Sequence, residues 1–213
     1  MGSRWAETRL FLGQVWRNYH TTGAVLPSGR RLAAALTRYV GAEGPAKRIL
    51  EVGPGTGPVT RRIAAAMGPE DRLDLVELNE SFVECLRLGL ANEPGLQKIA
   101  AQTRVLHGAV EDLPEERSYD VIVSGLPLNN FSAFLVESIL KKFAAVLRPG
   151  GTLSFFEYMA MRPLRALVSG RAGRERLRGI GGAMRAIVHG NEIRRDWVWA
   201  NVPPAWVHHV RFP

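Results

Sequence analysis

The stretch from Ile49 to Thr60, ILEVGPGTGPVT, constrains the fold more than any other part of the 213-residue chain. A short apolar run ends at Val52. Glycines then occupy every second position, at Gly53, Gly55 and Gly57. Pro58 suits the first turn of a helix, because proline lacks the amide hydrogen that this turn leaves unpaired. The pattern predicts a strand, a tight loop and a helix, with loop amides open to a small ligand.

The spacing of this glycine loop excludes two common nucleotide-binding loops. A dinucleotide fingerprint needs a glycine where Pro58 stands, and a phosphate loop needs a lysine and a hydroxyl residue that are absent here. Glu51 comes just before the loop, and Glu77 ends the next apolar run, twenty residues after Gly57. At this separation a carboxylate reaches the ribose hydroxyls of a nucleoside cofactor. The alternative for Glu77 is a solvent-facing acid at a strand end.

Length and composition favour a single globular domain, since 46% hydrophobic residues can fill one core. Lysine and arginine outnumber aspartate and glutamate by 28 to 20, which favours an anionic partner such as a membrane surface or nucleic acid. The single cysteine, Cys85, fits a reducing compartment, so we expect a cytoplasmic protein. No cysteine and histidine spacing suggests a metal site, and no apolar run approaches the roughly 20 residues that span a bilayer.

The first 28 residues are predicted to form a separate segment. Over Arg4–Tyr19 a helical phase places Trp5, Leu12, Trp16 and Tyr19 on one stripe. This amphipathic helix either packs on its own domain or lies at a membrane surface with its tryptophans in the headgroup region. Ser28 is positioned to cap a helix over Arg30–Val40.

Beyond the glycine loop, apolar strand patterns alternate with helical ones. The predicted elements are helix Val59–Met67, strand Leu73–Leu78, helix Ser81–Leu90, strands Thr103–His107 and Tyr119–Ser124, helix Ser132–Leu147 and strand Thr152–Tyr158. This alternation predicts a parallel sheet with right-handed crossovers and a ligand site at the carboxyl ends of the strands. Two strands in the tail, Ile193–Ala200 and Trp206–Phe212, predict a closing hairpin.

Two further loops lie at the same predicted edge. In His107–Leu113, Glu111 or Asp112 would contact a base or act as a plain loop acid. Ser124–Asn130 carries two leucines and a proline, which is unusually apolar for a loop and indicates the wall of a buried site.

An arginine-rich stretch, about 162–190, is interpreted as a helical insertion in a domain that spans 29–213. Its arginines are interleaved with apolar residues, and few acidic residues accompany them. Such a stretch is either an ordinary helical surface or a face that binds phospholipid phosphates or RNA.

Four features occur together: Glu51-x-Gly53-x-Gly55-x-Gly57, Glu77, the run Leu147–Gly151 and the final hairpin. Over Leu32–Phe212 they resemble a class I S-adenosylmethionine-dependent methyltransferase. The resemblance implies an α/β, Rossmann-like fold with a mostly parallel seven-stranded sheet that ends in an antiparallel hairpin. It also implies S-adenosyl-L-methionine as cofactor and S-adenosyl-L-homocysteine as product.

Four shorter segments in chain order are more specific: GAVLPS at 23–28, GPGTG at 53–57, SGLPL at 124–128 and NVPPA at 201–205. They are similar to bacterial phospholipid N-methyltransferases, which convert phosphatidylethanolamine toward phosphatidylcholine. Relatives that methylate ornithine lipids and, more distantly, ribosomal RNA adenine dimethyltransferases share the resemblance. It implies an aminolipid substrate and a peripheral position at the inner membrane. A small-amine methyltransferase and a catalytically silent lipid-docking protein are the remaining alternatives.

Nucleic acid ranks below lipid as a substrate. An adenine-methylating loop needs a polar residue and an aromatic platform, and Gly125 and Leu128 stand at those positions.

The resemblance implies a set of cofactor-binding residues. They are Ser28, Glu51, Gly53, Pro54, Gly55, Gly57, Glu77, Leu78, Ala109, Val110, Glu111 and Ser124. Ala109 departs from the family, which often has an aspartate there to meet the adenine amino group. Glu111, Asp112 or backbone atoms must therefore serve that purpose.

For catalysis, the resemblance implies that the carbonyl groups of Gly125 and Leu126 accept the hydrogens of the substrate amine. Tyr19, His20 and Tyr158 are candidates for its surroundings. His20 either removes the amine proton, since its ordinary pKa is near neutrality, or is a structural histidine. Methyl transfer to an amine requires no nucleophilic side chain, and we expect no metal.

Overall fold

The structure is a computed structural model that describes residues 29–41, 43–159, 181–182, 184–185, 187–199, 201 and 203–213. In chain order its main elements are α1 (Arg30–Leu36), β1 (Arg48–Val52), α2 (Pro58–Ala66), β2 (Arg72–Glu77), α3 (Glu80–Asn92), α4 (Pro94–Gln97), β3 (Thr103–His107), β4 (Tyr119–Ser124), α5 (Ala133–Val146), β5 (Leu147–Tyr158), β6 (Glu192–Val198) and β7 (Ala205–Arg211). Short 3-10 turns follow β3, at Val110–Asp112, and β4, at Leu128–Asn130.

The seven strands form one sheet in the order β3-β2-β1-β4-β5-β7-β6. The first five strands in this order are parallel, and β7 is antiparallel to both β5 and β6. The carboxyl ends of the parallel strands therefore lie along one edge of the sheet. This arrangement confirms the predicted α/β, Rossmann-like fold with its mostly parallel sheet and closing hairpin.

Apolar side chains cover both faces of the sheet, which explains why the central strands are continuous apolar runs. On one face Leu50, Ile122 and Phe155 pack with Phe143 of α5. On the other face, side chains of β1, β2 and β4 pack with α1 and α2: Ile49, Leu73 and Val123 with Leu32, Leu36 and Ile63. All of these side chains are nearly or fully buried.

Two predicted boundaries differ from the structure. Helix α1 ends at Leu36 rather than Val40, because the backbone after Leu36 changes to hydrogen bonds between residues three apart, such as Arg38 N to Ala35 O (3.2 Å). The N-cap residue of α1 is Gly29. Strand β5 begins at Leu147 rather than Thr152, since Leu147 already pairs with Tyr119 before the register shifts.

Several predictions fall outside the described residues. These are the amphipathic N-terminal helix, Tyr19, His20, Ser28 and most of the arginine-rich stretch, so the domain boundaries stay predictions. None of the described helices is long and apolar enough to cross a membrane.

Candidate active site

The glycine loop after β1 has the backbone geometry that its sequence predicts. Gly53, Gly55 and Gly57 all have positive φ angles, of 70°, 58° and 82°. Side chains at these positions would be strained, because L-residues rarely adopt this region. The Gly53 amide donates to the carbonyl of Val76 (2.9 Å), and α2 begins directly afterwards at Pro58. The loop is therefore fixed to the end of β2.

Glu77 holds the loop from the neighbouring strand. Its Oε2 accepts a hydrogen bond from the Gly55 amide (3.0 Å), and its Oε1 accepts one from the Asn79 amide (2.9 Å). The side chain is almost completely buried. Burial raises the pKa of Glu77, although the amides of Asn79 and Gly55 oppose that shift. Each carboxylate oxygen has a second lone pair, so Glu77 can still accept hydrogen bonds from a ligand.

The loop after β4 contacts the glycine loop. The Gly125 amide donates to the carbonyl of Val52 (2.8 Å), and a Cβ atom at position 125 would lie 2.6 Å from the Gly53 carbonyl oxygen. Only glycine fits there without moving backbone. The Leu126 amide donates to Ser124 Oγ (3.4 Å), and Leu126 is buried, as is Leu128. The two loops therefore form one continuous wall.

A pocket opens between these loops and the segment after β3. It is lined by Val52, Gly53, Val76, Glu77, Leu78, Gly108, Ala109, Val110, Glu111, Leu126 and Ile139. Seven of these residues are predicted site residues. Sequence reasoning missed Gly108, whose amide donates to the Glu77 carbonyl (3.0 Å), and three apolar residues of β1, β2 and α5. The position of Gly108 directly after a strand was a usable signal.

Glu111 and Asp112 take different positions in this pocket region. Asp112 Oδ2 accepts a hydrogen bond from the Ala109 amide (3.3 Å) and so closes the turn that contains both acids. Glu111 lines the pocket, and its Oε1 is buried without a hydrogen-bond partner among the described residues. Burial raises the pKa of Glu111. Of the two acids, Glu111 is the one available to a ligand.

Glu51 is fully buried at the end of β1 and is not a lining residue of the pocket. Neither of its carboxyl oxygens has a hydrogen-bond partner among the described residues, and the same holds for the Thr60 hydroxyl. Burial raises the pKa of Glu51 to about 8, and the nearby Glu77 carboxylate adds to this shift. The Thr60 hydroxyl opposes it but lies outside hydrogen-bond geometry. An unsatisfied buried carboxyl is costly and indicates a polar or cationic ligand.

The remaining predicted residues lie elsewhere or in supporting positions. Pro54 is buried within the glycine loop, and Ser124 is buried at the end of β4. Tyr158, the last residue of β5, is buried in the core on the α1 side, where its ring meets Phe156 edge to face at 5.0 Å. It is not a lining residue of the pocket. In the described part of the chain, no group of three histidine, cysteine or carboxylate side chains is placed to hold a metal ion.

The site suits a nucleoside cofactor with a cationic end. Glu77 has free lone pairs beside loop amides, and Glu111 presents an unpartnered oxygen to the pocket. Glu51 is a buried carboxyl group near both loops, and its oxygens have no hydrogen-bond partner among the described residues. Glycine at 125 leaves room for close approach to the backbone of both loops.

Comparison with known proteins identifies an enzyme family that uses such a cofactor. Residues 49–151 match the model of a methyltransferase domain. The chain is 30% identical to the ornithine lipid N-methyltransferase of Singulisphaera acidiphila over 68% of this chain and 74% of that protein. It is 28% identical to the ubiquinone/menaquinone biosynthesis C-methyltransferase UbiE of Ectopseudomonas mendocina over 66% and 53%, respectively.

Among solved structures, the O-methyltransferase TomG from Streptomyces achromogenes, determined with S-adenosylmethionine, has the same fold. Its TM-score is 0.60 at 17% identity, with 97% of this chain and 90% of that chain covered. The glycine loop and the acid at the end of β2 both lie within the residues that match the methyltransferase domain. The chain therefore belongs to the class I S-adenosylmethionine-dependent methyltransferases, and S-adenosylmethionine is its cofactor.

Proposed function

We propose that this methyltransferase methylates the amino headgroup of a membrane aminolipid, either phosphatidylethanolamine and its methylated intermediates or ornithine lipid, at the membrane surface. The observation that carries the proposal is the contact of the Gly125 loop with the Gly53 loop, where a side chain at 125 would lie 2.6 Å from a carbonyl oxygen. Such a loop presents backbone carbonyl groups instead of side chains. The similarity to an ornithine lipid N-methyltransferase supports the same substrate class.

Three acids are proposed to hold the cofactor. Glu77 would accept hydrogen bonds from the ribose hydroxyls, and Glu111 would accept one from the adenine amino group in place of the aspartate that Ala109 replaces. Glu51 would face the cationic end of the cofactor, because its buried oxygens have no partner among the described residues. Of the other predicted cofactor-binding residues, Gly53, Pro54, Gly55, Gly57 and Ser124 would shape the two loops, and Leu78 and Val110 would line the pocket. S-adenosylmethionine supplies an electrophilic methyl group on sulfur when it is bound.

The chain's contribution to methyl transfer is the orientation of a neutral amine. The carbonyl groups of Gly125 and Leu126 would accept the amine hydrogens and direct the nitrogen lone pair at the methyl group. Leu126 O already accepts the Leu128 amide (2.9 Å) and keeps one lone pair for the substrate. Positive charge develops on nitrogen, so carbonyl oxygens and aromatic faces stabilise the product. Tyr19 and His20 are the candidates for this role, and His20 is also the candidate for proton removal. Tyr158 would act only from the core.

RNA is a weaker alternative. An adenine-methylating loop would carry a polar side chain at position 125, and this backbone has no space for a Cβ atom there. That observation argues for a small flexible amine over a stacked base.

The substrate class is tested by incubating the purified protein with S-adenosylmethionine and liposomes that contain either phosphatidylethanolamine or ornithine lipid. Mass spectrometry of the lipid extract should show added methyl groups on one of the two. If neither lipid is methylated while cofactor binding is intact by calorimetry, the aminolipid assignment is wrong.

A matched pair of variants ties the activity to the site. Glu77→Ala should weaken cofactor binding and methyl transfer together, whereas Glu84→Ala, an exposed acid on α3, should change neither. Equal cofactor affinity in both variants would contradict the role of Glu77.

The expected membrane partner is an anionic surface, contacted through the N-terminal segment and the arginine-rich stretch. Binding to anionic liposomes should then fall with added salt and with deletion of Met1–Arg17, because screening and loss of the amphipathic helix both weaken it. Equal binding to neutral and anionic liposomes would contradict this proposal.

A further inference from the structure

The outer strand β6 carries an apolar patch that methyl transfer does not use. Ile193, Trp197 and Trp199 expose 42%, 55% and 66% of their surface and are three of the five large apolar side chains that are exposed in the described residues. All three lie on β6 or directly after it. Single exposed apolar residues are ordinary, but this concentration in one edge strand indicates an interaction surface.

The indole rings in this region are held by one another. Trp197 stacks on Trp199 with ring centroids 5.4 Å apart and an interplanar angle of 24°. Trp197 also meets Trp206 of β7 edge to face at 5.6 Å. We call Trp197, Trp199 and Trp206 the tryptophan patch. Its rings therefore form a preorganised apolar surface.

Several arginines lie close to the tryptophan patch. Arg30 and Arg31 of α1, Arg38 in the turn after α1, and Arg194 and Arg195 of β6 are all exposed. A groove between α1 and β6 is lined by two of them, Arg31 and Arg38, together with Trp197 and Trp199.

The acids of this surface do not balance its arginines. Asp196 pairs with Arg38 and Arg194, at 2.6 and 2.7 Å, and Glu192 pairs with Arg195 at 2.8 Å. Arg30 and Arg31 have no carboxylate partner in the described part of the chain. Two carboxylates therefore face five guanidinium groups, and the surface is positive.

The tryptophan patch lies on the same edge of the sheet as the cofactor loops. Because β6 and β5 are both antiparallel to β7, the carboxyl end of β6 points in the same direction as those of β5 and β4. Three strand spacings separate β6 from β4, or about 14 Å. The loop after β6 also holds the start of α1, since Asn201 Oδ1 accepts the Gly29 amide (3.2 Å).

We propose that the tryptophan patch and its arginines dock the protein on an anionic lipid bilayer, with the carboxyl edge of the sheet facing the headgroups. Indole rings favour headgroup depth, and guanidinium groups bind lipid phosphates. Excess positive charge matches an anionic surface, whereas Arg194 and Arg195 on an edge strand disfavour pairing with a second copy. The inference rests on the proposed aminolipid function, since docking there brings a headgroup to the methyl donor while its acyl chains stay in the membrane.

The test uses the full chain and vesicles of phosphatidylcholine with or without phosphatidylglycerol. Neither lipid has an amine that can accept a methyl group, so substrate binding cannot contribute. Trp197→Ala with Trp199→Ala should lower partitioning onto the mixed vesicles about tenfold. Arg30→Gln with Arg31→Gln should lower it about fivefold per arginine, and only on vesicles that contain phosphatidylglycerol.

Leu88→Ala is the matched control, because Leu88 is 63% exposed on α3 and should not change vesicle binding. Calorimetry should show unchanged cofactor affinity in every variant. Unchanged vesicle binding in the tryptophan variant would overturn the inference. The inference would also be overturned if the tryptophan variant changed only the oligomeric state, measured as molecular mass by sedimentation. The patch would then be an interface between two copies of the chain. The two proposals can also fail separately. If the tryptophan variant loses vesicle binding but the unaltered protein methylates neither aminolipid, the substrate assignment is wrong and the docking surface stands.

Discussion

Buried carboxyl groups at the two ends of the parallel strands differ in their hydrogen-bond partners and in the direction of their pKa shifts. At the carboxyl end, Glu51 has no hydrogen-bond partner among the described residues, and burial raises its pKa to about 8. Nearer the amino end of the next strand, Asp74 is equally buried but accepts two hydrogen bonds from Arg104 at 2.7 Å and one from Tyr119 at 2.8 Å. Burial alone would raise the pKa of Asp74, but Arg104, Tyr119 and Arg48 outweigh it and lower that pKa.

This difference separates stability from function within one sheet. The acid at the amino end is neutralised by the protein's own cations, so it contributes to folding. The acid at the carboxyl end is left without a cation, which costs stability and leaves it available to a positively charged ligand. Five predictions can break or sharpen this comparison.

The largest effect is expected for Gly125→Val. Its Cβ would lie 2.6 Å from the Gly53 carbonyl oxygen, so the two loops must separate, and cofactor affinity should fall at least about hundredfold. Gly151→Ala is the control at the amino end, where a Cβ would lie 3.0 Å from the Asp120 carbonyl oxygen. It should lower the melting temperature but leave cofactor affinity, measured by calorimetry, unchanged. Equal loss of affinity in both variants would break the comparison.

Asp74→Asn should reduce the free energy of unfolding by about 3 kcal/mol, because the buried side chain at position 74 would lose its charge and one of the two acceptor oxygens that Arg104 and Tyr119 bind. Cofactor affinity should stay the same. Denaturant unfolding and calorimetry measure the two quantities. Glu93→Gln, which breaks an exposed pair with Arg61 at 2.8 Å, should cost less than about 1 kcal/mol. A comparable cost for Glu93→Gln would mean that burial of Asp74 is not the reason for its effect.

Glu51→Gln should remove a pH dependence that the unaltered protein has. The folded state holds a proton on Glu51 up to about pH 8, whereas the unfolded chain releases it near 4.5, so this group's contribution to stability falls as pH rises between these values. The contribution of Asp74 to stability changes with pH in the opposite direction. It is complete above the ordinary pKa of 3.8 and is lost as pH falls through the lowered folded-state pKa. Thermal melts across pH test both signs.

The same variant should alter cofactor binding. A cationic ligand favours the ionised carboxylate of Glu51. In the unaltered protein the cofactor affinity should therefore rise by up to about tenfold per pH unit on approaching pH 8 and then level off. Binding should release a proton in the unaltered protein and none from position 51 in Glu51→Gln. Calorimetry in buffers of different ionisation enthalpy measures this release, and identical release in both proteins would exclude Glu51 as the responsible group.

The smallest effect is expected for Tyr119→Phe. It removes the 2.8 Å hydrogen bond to Asp74 but leaves both arginines in place, so the free energy of unfolding should fall by about 1 kcal/mol. Asp74→Asn and Tyr119→Phe together should cost less than the sum of the two, because they share one hydrogen bond. Strict additivity would mean that the bond does not form in solution.

The glycine loop, Glu77 and the parallel sheet could be predicted from local spacing, since strand, loop and helix patterns depend on neighbouring residues. The choice between Glu111 and Asp112 could not, because it depends on which side chain closes the turn after β3. Likewise, Tyr158 is next to the candidate loops in the order of strands but lies in the core on the α1 side. Tyr19, His20 and Ser28 stay predictions.

By itself the sequence determined the fold class, the position of the cofactor loop and the acid that follows it, because each is encoded within about twenty neighbouring residues. Only the tertiary structure decided which buried acids are neutralised and which are not. Asp74 of β2 lies opposite Leu50, the residue of β1 that precedes Glu51. Even so, Arg48 of β1 and Arg104 of β3 reach Asp74 and not Glu51. The tertiary structure also brought the tryptophan patch to the same edge as the cofactor loops. Both outcomes depend on strand order and direction, which bring together residues that are far apart in the chain.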